Sequence, residues 1–111
     1  MKSLKDILFG VSLTAVSGST SVMVNKICFD SRLVEVGDVF IAIRGTITDG
    51  HNYIEKAISL GVKAIVCETM PNTIVNEVTY VEVDNGNKAL AIMASNYYEN
   101  PSKNLKLVGV T

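Results

Sequence analysis

Two short apolar runs constrain this chain more than any other feature. Val39–Ile43 (VFIAI) and the run Ala64–Cys67 within KAIVC have no polar interruption. Each therefore suits a strand covered on both faces, as in the interior of a layered α/β sheet. Between them lies a helix pattern, with Ile54, Ala57, Ile58 and Gly61 at i, i+3, i+4 and i+7. Asn52 and Glu55 form a capping-box-like pair at its start, and Gly61 stands where a C-cap glycine belongs. The same alternation continues outward. Ser3 and Asp6 predict a capped amphipathic helix running to about Phe9 or Gly10, with Leu4, Ile7, Leu8 and Val11 on one side. VNKICF predicts a strand, Val78–Val83 another, and KALAIMASNYYEN a helix stopped at Asn100-Pro101. LKLVGVT predicts a last strand. The expected fold is a single α/β domain with a mostly buried mixed sheet and flanking helices.

Size and composition agree with one such domain. The 111 residues are 48% hydrophobic and 19% charged, which marks a chain able to bury its own core. Ten basic residues against eleven acidic ones leave a net charge of −1, so there is no basic field for a nucleic acid. Its apolar runs fall far short of the ~20 residues of a membrane span. Asp6 breaks the N-terminal apolar stretch, which favours a helix over a signal peptide. Cys28 and Cys67 both fall in strand-like runs and are expected to be reduced and buried, in a cytoplasmic protein. No other Cys or His stands at metal-ligand spacing.

The candidate site is the segment between the first apolar run and its helix, where Arg44, Gly45, Thr46, Thr48, Asp49, Gly50 and His51 cluster. A strand end, a glycine-bearing loop and a helix start are an arrangement suited to an anion. Gly45 and Gly50 permit positive φ and close backbone approach, and Thr46 and Thr48 add hydroxyls. A second polar turn, Asp30-Ser31-Arg32, follows the preceding strand. If the two strands are neighbours, both turns share one carboxyl edge, where α/β folds bind ligands. Asp-Gly is also an ordinary turn dipeptide, and Asp49 and Arg32 have plain structural uses. His51, the lone histidine, suits a capping or solvated position better than a general base. One of Tyr97 and Tyr98 is expected in the core and the other at the surface. No catalytic constellation is present, and neither turn is a phosphate-loop or dinucleotide fingerprint.

The stretch DSRLVEVGDVFIAIRGTITDGHNYIEKAISLGVKAIVCE (Asp30–Glu68) closely resembles the first domain of the Mur ligases, ATP-dependent enzymes that build the peptidoglycan stem peptide. The combination of DSR, GD-F-A and DG-H-Y-I carries the resemblance, which covers the chain from about residue 25 to its end. The tail YYENPSKNLKLVGVT resembles the lead-in to the ATP-binding central domain of the branch acting on UDP-N-acetylmuramoyl-L-alanyl-D-glutamate. That branch adds diaminopimelate or lysine as third residue. The branch adding D-alanyl-D-alanine is the near alternative, and a stand-alone sugar-nucleotide-binding module a more distant one. The resemblance implies an N-terminal domain over residues 1–111, ending just before the ATP-binding loop, that grips the UDP part of a UDP-N-acetylmuramoyl-dipeptide. By residue, it implies UDP contacts from Phe29, Ser31, Thr46, Ile47 and Thr48. Asp30, Arg32, Gly45, Asp49 and Gly50 would shape the two turns. Phe29 departs from the leucine common at its position, and the loop triplet varies among members. ATP and magnesium would belong to the longer enzyme, which joins carboxylate to amine through an acyl phosphate. This chain's partners would be the nucleotide substrate and its own central and C-terminal domains, with no cofactor of its own.

Overall fold

The computed structural model describes residues 2–43, 50–72 and 74–99. The expected strand LKLVGVT lies outside these residues. The elements are β1 (Lys2–Ser3), α1 (Leu4–Ile7), β2 (Leu13–Ser17), β3 (Met23–Val24), β4 (Ile27–Cys28), β5 (Val39–Ile41), α2 (Ile54–Ser59), β6 (Ala64–Cys67), β7 (Thr79–Val83) and α3 (Gly86–Glu99). Short 3₁₀ turns occupy Ser31–Leu33 and Gly50–Tyr53. A five-stranded mixed sheet runs β2-β7-β6-β5-β4, antiparallel between β2 and β7 and parallel elsewhere. A separate ribbon pairs β1 with β3.

The apolar runs behave as two-sided strands. Val39, Ile41, Ala64, Val66, Val81 and Val83 pack with Leu4, Ile7, Ala89 and Met93 beneath α1 and α3. Alternate residues Phe40, Ala42, Ile65, Cys67 and Tyr80 pack with Ile54 and Ala57 of α2 on the other face. The period of two in each strand sends neighbours into opposite layers, giving helices on both sides of one sheet. Both cysteines are free and buried. Burial pushes the Cys67 thiol up to about 11 and raises that of Cys28.

Several local expectations need correction. Ser3 does cap α1, its Oγ accepting the Asp6 N–H at 3.2 Å, but the helix stops at Ile7. VNKICF is two strands in two sheets, β3 and β4, divided at Asn25-Lys26. The strand β2 has no counterpart among the sequence expectations. Leu13, Thr14, Ala15 and Val16 are all exposed, so no buried alternation announces it. Its register comes from β7, reinforced by the Thr14 hydroxyl, which donates to the Glu82 backbone O at 3.0 Å. The Asn52–Glu55 box does not form. Residues 50–53 make a 3₁₀ turn, and Tyr53 precedes α2 without a side-chain cap. At the other end Gly61 takes φ +98° one residue beyond the C-cap Leu60, as a terminating glycine should. Tyr97 packs against the core while Tyr98 is 67% exposed.

Candidate functional site

The strands β4 and β5 are parallel neighbours, pairing Ile27 with Val39 and Cys28 with Phe40. Their carboxyl ends therefore deliver Phe29–Arg32 and Ile43 to one edge of the sheet. An open cleft of about 670 Å³ lies there, lined by both segments together with Gly50, Tyr53, Lys56, Asn87 and Leu90. That volume is within the range of about 300–1,000 Å³ usual for small-ligand sites. Because α2 and α3 cover opposite faces of the sheet, the cleft has one wall from each.

The 30–33 turn is locally determined. Asp30 is its N-cap, with Oδ1 accepting the Arg32 backbone N–H at 2.9 Å, and its own carbonyl accepts from Leu33 N–H. The Arg32 guanidinium folds back in a fork onto the same carboxylate, Nε to Oδ1 at 3.0 Å and Nη2 to Oδ2 at 2.8 Å. These bonds, the side-chain ones first, lower the Asp30 pKa to about 2, and Lys56 adds a weaker Coulombic pull. Phe29, just before the turn, is 62% exposed and lines the cleft, whereas Ser31 is buried.

The base of the 44–49 segment is pinched shut. Gly50 N–H donates to the Ile43 carbonyl at 2.8 Å. A Cβ on Gly50 would stand 2.7 Å from Ile43 N and 2.9 Å from Ile43 O. Glycine is thus required by close approach of two backbones. Beside it, His51 Nε2 accepts N–H groups of Glu68 (2.9 Å) and Thr69 (3.3 Å), so its ring ties this loop to the end of β6. Glu68 in turn accepts the Gly86 N–H at 2.6 Å through Oε2, closing the start of α3.

Of the residues singled out from sequence, Phe29, Asp30, Ser31, Arg32 and Gly50 meet at the cleft. Gly45, Thr46, Ile47, Thr48 and Asp49 lie outside the described residues. Sequence reasoning missed Tyr53, Lys56, Asn87 and Leu90. Lys56 carried a faint signal, because it falls off the apolar stripe of α2. Asn87 and Leu90 carried none, since α3 joins the site only through tertiary packing. The charged residues lining the described cleft are Arg32 and Lys56 against Asp30, a balance of +1 in a chain whose net charge is −1. Among the described residues no group of three His, Cys, Asp or Glu could hold a metal ion. No described helix is long and apolar enough to cross a membrane.

A family model described as "Mur ligase family, catalytic domain" matches residues 23–98. The chain is 49% identical over 109 residues to the UDP-N-acetylmuramoyl-L-alanyl-D-glutamate–2,6-diaminopimelate ligase of Cytophaga hutchinsonii, covering 97% of this chain and 22% of that protein. The enzyme of the same name from Phocaeicola vulgatus is 41% identical, again over 97% of this chain and 22% of its own length. Thus the chain spans about a fifth of the length of these relatives. Among solved structures, a MurF from Acinetobacter baumannii superposes with a TM-score of 0.72 at 20% identity, covering 91% of this chain and 22% of that one. At that identity the likeness establishes the shared fold.

Proposed function

The chain belongs to the Mur ligase family, and on that premise we propose that it is the N-terminal, UDP-gripping domain of an ATP-dependent ligase. The reaction of the longer protein would add diaminopimelate to UDP-N-acetylmuramoyl-L-alanyl-D-glutamate in the cytoplasm. Relatives at 41–49% identity bear that activity in their names, which favours it over the D-alanyl-D-alanine-adding branch. Family membership also makes a stand-alone module the weaker alternative. The observation that carries the assignment is the meeting of the 30–33 turn with the pinched base of the 44–49 segment in one cleft of net positive charge.

In this assignment Phe29 and Ser31 contact the nucleotide from one turn, and Thr46, Ile47 and Thr48 from the other. Asp30, Arg32, Gly45, Asp49 and Gly50 hold the two turns in shape. The exposed Phe29 ring supplies apolar surface at the mouth of the cleft for the nucleotide to pack on. The domain's contribution is to anchor the nucleotide end of the substrate. The reacting carboxylate is then presented to the partner domains, central and C-terminal. ATP and magnesium would be held in that longer protein.

Titrating the isotope-labelled chain with UDP, and with ADP as control, tests this directly by backbone amide shifts. Selective shifts at Phe29, Ser31 and Thr46–Thr48 with UDP are expected. An equal response to ADP, or none to UDP from a folded sample, would overturn the assignment.

A further inference from the structure

We propose that Lys56 is the side chain that neutralises the ligand's diphosphate, placing the phosphates on the α2 side of the cleft. This rests on the nucleotide assignment above and deepens it. Four observations converge on Lys56. It lines the cleft from α2, on the wall adjoining the 30–33 turn. Arg32, the other lining cation, is already committed, with both ends of its fork on the Asp30 carboxylate. At the start of α3, two of the N–H groups that could otherwise meet an anion are already held by the chain itself. Glu68 Oε2 takes the Gly86 N–H at 2.6 Å, and Asn85 Oδ1 takes that of Lys88 at 2.9 Å. Finally, Lys56 forms no ion pair among the described residues, and its side chain is exposed on the cleft wall.

Chemistry then sorts the cleft. A diphosphate carries its charge at one end of the nucleotide and needs a mobile cation within reach of several oxygens, which a flexible ammonium with three donors supplies. The opposite wall, with Leu90 and Asn87 from α3, has an apolar surface and an amide but no charge. That combination suits the uracil ring, whose edge alternates donor and acceptor. The structural alternative for Lys56 is a solvated helix residue with no ligand. It predicts no dependence of binding on the ammonium.

The test compares wild type, Lys56→Gln, Lys56→Arg and, as a charge-matched control, Lys63→Gln. Lys63 immediately precedes β6 and so lies at the opposite edge of the sheet. Each is titrated with UDP and with uridine, following backbone amide shifts. Loss of a charge-assisted bond to phosphate predicts about tenfold weaker UDP binding for Lys56→Gln. Lys56→Arg should recover most of that loss, Lys63→Gln should match wild type, and the initial shift slopes with uridine should be the same for all four. Unchanged UDP binding in Lys56→Gln, an equal loss for uridine, or an equal loss in Lys63→Gln would overturn the role of Lys56. A wild-type chain that does not respond to UDP would instead remove the nucleotide assignment itself.

Discussion

The two edges of the sheet each hold a cation–carboxylate pair, and the pairs behave differently. At the amino edge, Lys26 Nζ meets Asp38 Oδ2 at 2.5 Å, with Asp38 wholly buried. The same Oδ2 accepts the Glu35 N–H at 2.8 Å, while Oδ1 has no partner among the described residues. The Asp38 carbonyl accepts from Lys63 N–H, so this one residue joins the approaches to β4, β5 and β6. Asp38, first among several causes, raises the Lys26 pKa. At the carboxyl edge the Asp30–Arg32 pair spans two residues, with the Arg32 side chain 80% exposed. A half-exposed lysine held on a wholly buried carboxylate, with the two residues leading into different strands, ties tertiary structure together, and the buried carboxylate depends on its bonds. An exposed pair within one turn shapes that turn and little else. The amino edge is consequently closed by its charges, and the carboxyl edge is left open for a ligand.

The sharpest way to break this comparison is Asp38→Ala, expected to cost about 3 kcal/mol because it removes the acceptor for Lys26 and for Glu35 N–H. Urea denaturation measures it, and a cost near zero would put the two edges on the same footing. Next comes Gly50→Ala. Its methyl would collide with the Ile43 backbone, which has no rotamer to yield, so a loss of about 2 kcal/mol is expected, together with weakened UDP binding. Stability loss with UDP binding intact would show that the pinch serves the fold alone.

The smallest effect belongs to the exposed pair and is best seen as a pH dependence. Asp30 is lowered from 3.8 to about 2, so its contribution to stability is present above 3.8 and fades as the pH falls through about 2. In Asp30→Asn that contribution is missing at every pH, so stability at neutral pH should fall slightly and the acid-induced loss between those values should shrink by the same small amount. An unchanged acid limb in thermal melts would separate the Asp30–Arg32 contact from folding altogether.

Legibility from sequence followed the same division. The strands β5 and β6 could be read directly because both of their faces are covered, so no polar residue interrupts them. The 30–33 turn was readable too, since an Asp N-cap bonding two residues ahead is a local event. By contrast, β2 is an exposed edge strand with no buried alternation, and only pairing with β7 makes it a strand. The Asn52–Glu55 pair had the right spacing for a capping box. The backbone pinch at Gly50 instead continues into a 3₁₀ turn across those residues.

The sequence by itself determined the α/β class, the two-sided strands, the Gly61 helix stop and the polar turn after β4. Each of these rests on contacts within a few residues or on the period of a single element. Tertiary structure alone decided that β4 and β5 are parallel neighbours, that α3 supplies one wall of the cleft and that Lys56 faces it from the other. It also decided that Asp38 is buried while Asp30 is not. Two carboxylates of the same type, each beside a cation, differ most in what the rest of the fold packs over them. Solvent exposure sets the strength of an ion pair, and exposure is a property of the assembled layers.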